Sequence, residues 1–104
     1  MEVSDFYSLL SDSGIPAAHN VFLTPQTAPY ILYRDDSFEN ITANSKTVLK
    51  KRHITIELYS KITQVSNCEQ TVEDILDSFT TYTKDRAFDD EQELYVTYYN
   101  FYII

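Results

Sequence analysis

The chain has one glycine, one cysteine and no tryptophan in 104 residues. With Gly14 alone it cannot build the glycine-rich backbone that cradles a phosphate, which excludes nucleotide-binding loops of that kind. Cys68, being the sole cysteine, cannot form a disulfide within the chain, so folding inside a cell is the simpler expectation. Basic residues are also scarce: eight Lys and Arg face sixteen Asp and Glu, for a net charge of -8. Binding duplex DNA requires cations that displace counterions, so sequence-specific recognition of nucleic acid is not expected. An acidic wall that DNA passes without sticking is compatible with this sign. No apolar run approaches the length of a membrane span, and the opening "MEVSDFYSLL" lacks the basic start and long apolar centre of a signal peptide. The expectation is a soluble protein made in the cytoplasm, with no membrane partner.

Aromatic residues are plentiful instead. Nine tyrosines and six phenylalanines, within a hydrophobic fraction of 43%, place the chain among folded domains despite its charge. Its length suits a single domain, residues 1–104.

Val3, Phe6, Tyr7 and Leu10 recur at helical spacing and predict a first helix over 3–13. Gly14, Ile15 and Pro16 supply its stop: a left-handed residue, an apolar partner and a breaker. Residues 17–29 read as irregular. "PYILYRDD" gives a strand that Asp35 and Asp36 end, and "SFENITANSK" reads as a polar loop or hairpin excursion. In "TVLKKRHITIELYSK" the alternation of Ile54, Ile56 and Leu58 with polar neighbours marks a half-buried strand. Ser66 and Glu69 fit a capping box for a second helix, with Val72, Ile75, Leu76 and Phe79 inward and Glu69, Glu73, Asp74 and Asp77 outward. "TYTKDRAFDD" follows as a short strand or turn. The expected fold is α+β: an antiparallel or mixed sheet of four or five strands with two short helices, in the order α-β-β-(β)-α-β-β.

The chain ends on "ELYVTYYNFYII", a strand with two greasy faces. Leu94, Val96, Tyr98, Asn100, Tyr102 and Ile104 share one face; Tyr95, Thr97, Tyr99, Phe101 and Ile103 share the other. Two short helices are thin cover for both. Burial within the chain, an exposed hazard, or burial by a second copy are the alternatives, and the aromatic yet mixed character of the second set favours the second copy.

Chemistry is harder to find. Cys68 sits at a predicted helix start, where the dipole lowers a thiol pKa, but a small, semi-buried residue is the plainer reading. His19 and His53 fall in no nucleophile motif. The acids Asp89, Asp90, Glu91 and Glu93 lack the ligand spacing and glycine of a calcium loop and read as a solvated turn. Lys50, Lys51 and Arg52 are the one basic run and read as charges guarding a strand. No catalytic, cofactor-binding or metal-binding residue is assigned, and an enzyme is not expected.

The ordered series "SGIPAAHNVF", "APYILYRDDSF", "ITANSKTV", "ITIELYSK", "TVEDILDSF" and "ELYVTYYNFYII" resembles the small tail-completion or tail-terminator (head–tail joining) proteins of long-tailed bacteriophages and prophages. Pro29, Tyr30, Ile31, Leu32 and Tyr33 match the first strand motif of that group; Ala43 and Asn44 match part of the following loop. Ile56, Glu57, Leu58, Tyr59 and Lys61 match the third element, and Leu94, Tyr95, Tyr99 and Phe101 the last. The loop reads "TANS" where the group commonly has an aspartate. The resemblance implies a structural protein of the virion neck, assembled in the host cytoplasm. It would form a homo-oligomeric ring, usually of six subunits, that caps the tail tube and meets the major tail protein and the head–tail connector. In such a ring Tyr95, Tyr99, Phe101 and Ile103 are the expected subunit interface. Asp35, Asp36, Asn44, Asp89 and Asp90 are the expected contacts with tube or connector. The alternative is a small monomeric acidic protein that binds or inhibits a host protein.

Overall fold

The computed structural model describes residues 3–103, with the side chains of residues 36, 38–41 and 47–49 outside the description. The element order is α1 (Val3–Ser11), β1 (Ala17–His19), β2 (Tyr30–Ala43), β3 (Lys46–Ser60), α2 (Val65–Asp77), β4 (Thr83–Asp89) and β5 (Leu94–Ile103). The expected α+β class is therefore the observed one. The five strands form a mixed sheet in the order β1-β2-β3-β5-β4, in which only β1 and β2 run parallel.

Helix α1 forms on the stripe read from the sequence, with Phe6 and Leu10 fully buried. Gly14 has φ +87°, the left-handed conformation that a side chain would strain. Ser13 completes the stop: its hydroxyl donates to the Leu10 carbonyl at 2.7 Å and accepts from the Ile15 N–H at 3.2 Å. That turn delivers Ile15 into the core and starts β1, a strand inside the segment 17–29 expected to be irregular. Three residues are too few to show alternation. β1 exists because β2 offers it an edge, and bonds from Ile31 N–H to the Pro16 carbonyl and from Asn20 N–H to the Tyr33 carbonyl frame the pairing.

Asp35 and Asp36 do not end β2. They stand together opposite Ile54, between the pairs Arg34–Thr55 and Ser37–His53, so the strand bulges and continues. β2 and β3 then turn through Asn44 and Ser45, with φ of 52° and 61°, the two left-handed residues of a tight hairpin. Residues 37–43 and 46–51 pair with each other alone among the described residues, because β5 meets β3 only from Arg52 onward. A two-stranded arm thus extends past the body, and the molecule measures 52 × 25 × 25 Å.

Helix α2 starts at Val65 with Gln64 as N-cap, two residues before the expected cap Ser66, and no side chain caps it. Glu69 does not close a capping box or face out; it is 3% exposed and points at the sheet. Both helices lie on one face of the sheet, over Ile31, Tyr33, Ile54, Ile56, Leu58, Tyr99, Phe101 and Ile103. Phe6 of α1, Phe79 beyond α2 and Phe101 of β5 meet there with ring centroids 5.2–5.9 Å apart.

This packing corrects the expected interface. Tyr99, Phe101 and Ile103 are the chain's own core, at 0%, 2% and 6% exposure, and Tyr95 on the same face is half-buried. The physical reason is register: Tyr99 pairs with Ile56 and Phe101 with Ile54, so this face of β5 continues the apolar face of β3. The other face is the one left open.

Candidate interaction surface

The open face is laid out in rows by strand register. Tyr30, Tyr59, Val96 and Ala87 form one row; Leu32, Glu57, Tyr98 and Asp85 the next; Arg34, Thr55, Asn100 and Thr83 the third. Among the described residues both helices pack on the opposite face, and at the margin of this one Phe22 meets Tyr30 of β2 edge-on at 5.7 Å. Tyr30 and Tyr59 stack with centroids 4.7 Å apart and planes 15° from parallel. Tyr98 is half-buried and Tyr102 is 50% exposed.

A polar centre interrupts this aromatic surface. Arg34 and Glu57 form an ion pair across β2 and β3, and the Tyr59 hydroxyl donates to Glu57 Oε1 at 3.0 Å. Burial, and then the Glu57 carboxylate, pushes the Tyr59 phenol far above its ordinary range, so it remains a donor. Asn100 Oδ1 accepts from the Thr55 hydroxyl at 3.0 Å and lies 3.1 Å from His53 Nε2. Lys51 and His53 both approach Tyr102, and with Asn100 they border a hollow of about 600 Å³ at the root of the arm. The surface is therefore apolar in body and polar at its tips, a chemistry suited to a contact hydrated before assembly and buried after it.

Under the other face lies a polar network. Glu69 Oε2 accepts from Arg86 Nε at 2.9 Å and from the Thr97 hydroxyl at 2.7 Å, while Oε1 meets the other arm of the same guanidinium and Lys84 Nζ at 3.2 Å. Burial alone would raise the Glu69 carboxyl; the bonds from Arg86, Thr97 and Lys84 outweigh it and hold the group down at about 2. One turn on, Glu73 accepts from the Tyr99 hydroxyl at 2.8 Å and from Lys84 at 2.9 Å. These bonds fix α2 on β4 and β5. A signal for Glu69 was present in the sequence: it lies four residues after Val65 and three before Val72, on the inward stripe of α2.

The expected tube or connector residues do not gather in one place. Asp35 Oδ1 lies 2.9 Å from His19 Nε2 and its Oδ2 is 3.6 Å from Arg52, beside the ring stack of Tyr7, His19 and Tyr33. The side chain of Asp36 lies outside the described residues. Asn44 is at the arm's tip, and Asp89 and Asp90 are at the β4–β5 turn, the opposite end of the sheet. Asp89 caps that turn by accepting from the Glu91 and Gln92 N–H groups at 3.0 and 3.2 Å. Cys68 is buried, and burial followed by the Glu69 charge pushes its thiol up, against the helix-start effect. Among the described residues no cluster of His, Cys, Asp or Glu is arranged to hold a metal ion, and no helix is long and apolar enough to cross a membrane.

Comparison with known proteins returns no match to a family model, a curated protein or a solved structure.

Proposed function

We propose that this chain is a structural assembly protein of a long-tailed phage or prophage, forming a ring that caps the tail tube and joins it to the head connector. The resemblance in the order of its sequence motifs supports the family. The observation that carries the reading is the open sheet face bearing Tyr30, Tyr59, Tyr98 and Tyr102, which neither helix covers. A ring subunit between tube and connector must offer surface to two identical neighbours and to different proteins above and below. In this reading the chain acts by contact alone, with no catalytic role, in the virion and in the host cytoplasm while virions assemble.

The test is electron microscopy with light scattering on the concentrated protein, alone and co-expressed with the major tail protein encoded beside it. Rings, free or seated at tube ends, are expected. Tyr98→Glu sets a second carboxylate opposite Glu57 on the open face and should stop rings from seating at tube ends. A strict monomer under both conditions would sink the ring and favour the small acidic protein that binds a host protein.

A further inference from the structure

The hairpin arm and the β4–β5 turn lie at opposite ends of the long axis and differ in charge and cover. Residues 37–51, in and around the arm, hold Lys46, Lys50 and Lys51 against one acid, Glu39, in a chain of net charge -8. Lys46 and Lys50 are exposed. The arm reaches about 20 Å beyond Arg52, at roughly 3.3 Å per residue. A two-stranded ribbon without a third strand or a helix against it is marginal in water, so this one is built to be covered.

At the other end, the turn puts Asp90, Glu91 and Glu93 into solvent within four residues. Beside them is a hollow of about 660 Å³ whose walls include Ile62, Phe88, Leu94, Asp90, Glu93 and Lys61. Ile62 is 61% exposed and Phe88 42%, so two large apolar side chains stand open to solvent at this end. An apolar hollow with an acidic rim fits a ribbon with lysines at its margins, and each chain carries one of each.

Resting on the ring reading, we propose that the occupant of this hollow is the hairpin arm of a second copy: the arm of one subunit docks by Lys46 and Lys50 against Asp90 and Glu93 of the next, over Ile62 and Phe88. Because the two patches differ, the contact is heterologous and propagates in one direction, closing into a ring when the rotation allows. The open tyrosine face is then left for the proteins stacked above or below.

A charge-reversal cycle tests this. K46E/K50E in the arm, or D90K/E93K at the turn, should each weaken self-association about tenfold, read by light scattering or sedimentation across a concentration series. The four changes together should restore it. Carbodiimide coupling of mixed isotope-labelled and unlabelled chains should join Lys46 or Lys50 of one copy to Asp90 or Glu93 of another. If the chain assembles but neither reversal weakens it, or if the inter-chain couplings fall elsewhere, the docking is wrong and the ring reading survives. If the arm reversal releases only the tail tube protein, the arm belongs to that partner and the docking is again overturned. A chain that never assembles overturns both.

Discussion

Strand β5 presents two faces of nearly equal greasiness and unequal fate. On one, Thr97, Tyr99, Phe101 and Ile103 are sealed under α1 and α2; on the other, Val96 is buried at 6% exposure, but Tyr98, Asn100 and Tyr102 stay in reach of solvent. Their composition hardly separates them, since tyrosine occurs on both. The difference comes from what each face meets. The sealed face aligns with Ile54, Ile56 and Leu58 and takes both helices, whereas the open face aligns with Thr55, Glu57 and Tyr59. A two-faced strand in a small domain therefore identifies a surplus of apolar surface without saying which side carries it.

The comparison breaks most sharply by truncation. Phe101→Ala empties a site bounded by Phe6 and Phe79 and should cost about 4 kcal/mol in denaturant titrations. Its neighbour Tyr102→Ala on the open face should cost under about 0.5 kcal/mol. Equal losses would mean that the open face is covered in the isolated chain. Next in size is Glu69→Gln, which removes the carboxylate that Arg86, Thr97 and Lys84 share; a loss of about 2 kcal/mol is expected. Tyr99→Phe keeps the ring and deletes only the bond to Glu73, so it should cost about 1 kcal/mol.

Acidification probes the sealed face alone. Glu69 has its pKa lowered from 4.5 to about 2 by folding, so its contribution is fully present above 4.5 and is lost as pH falls through about 2. Between those values the unfolded chain takes up a proton that the folded chain does not, so the wild type should lose stability progressively as pH falls from about 4.5 to about 2. In Glu69→Gln this acid dependence should flatten. An unchanged pH profile in that variant would place the low-pKa carboxylate elsewhere.

Much of the local structure was legible. The helix stop at Gly14 needed only a left-handed residue, an apolar follower and a proline, and the strands around Ile31 and Ile56 needed only alternation. Legibility failed where a partner strand or helix supplied the missing term. β1 is three residues fastened to an edge. Asp35 and Asp36 read as a strand end because charged pairs usually are, yet a bulge opposite Ile54 absorbs them. Glu69 reads as a helix-start acid until Arg86, seventeen residues on, arrives beside it.

Sequence alone determined the class of this protein: one small α+β unit, acidic, rich in tyrosine, with more apolar strand surface than two short helices can hide. Tertiary structure decided which surface is left over, because strand faces are assigned by register with a neighbour and by where the helices land. Local spacing carries no information about either.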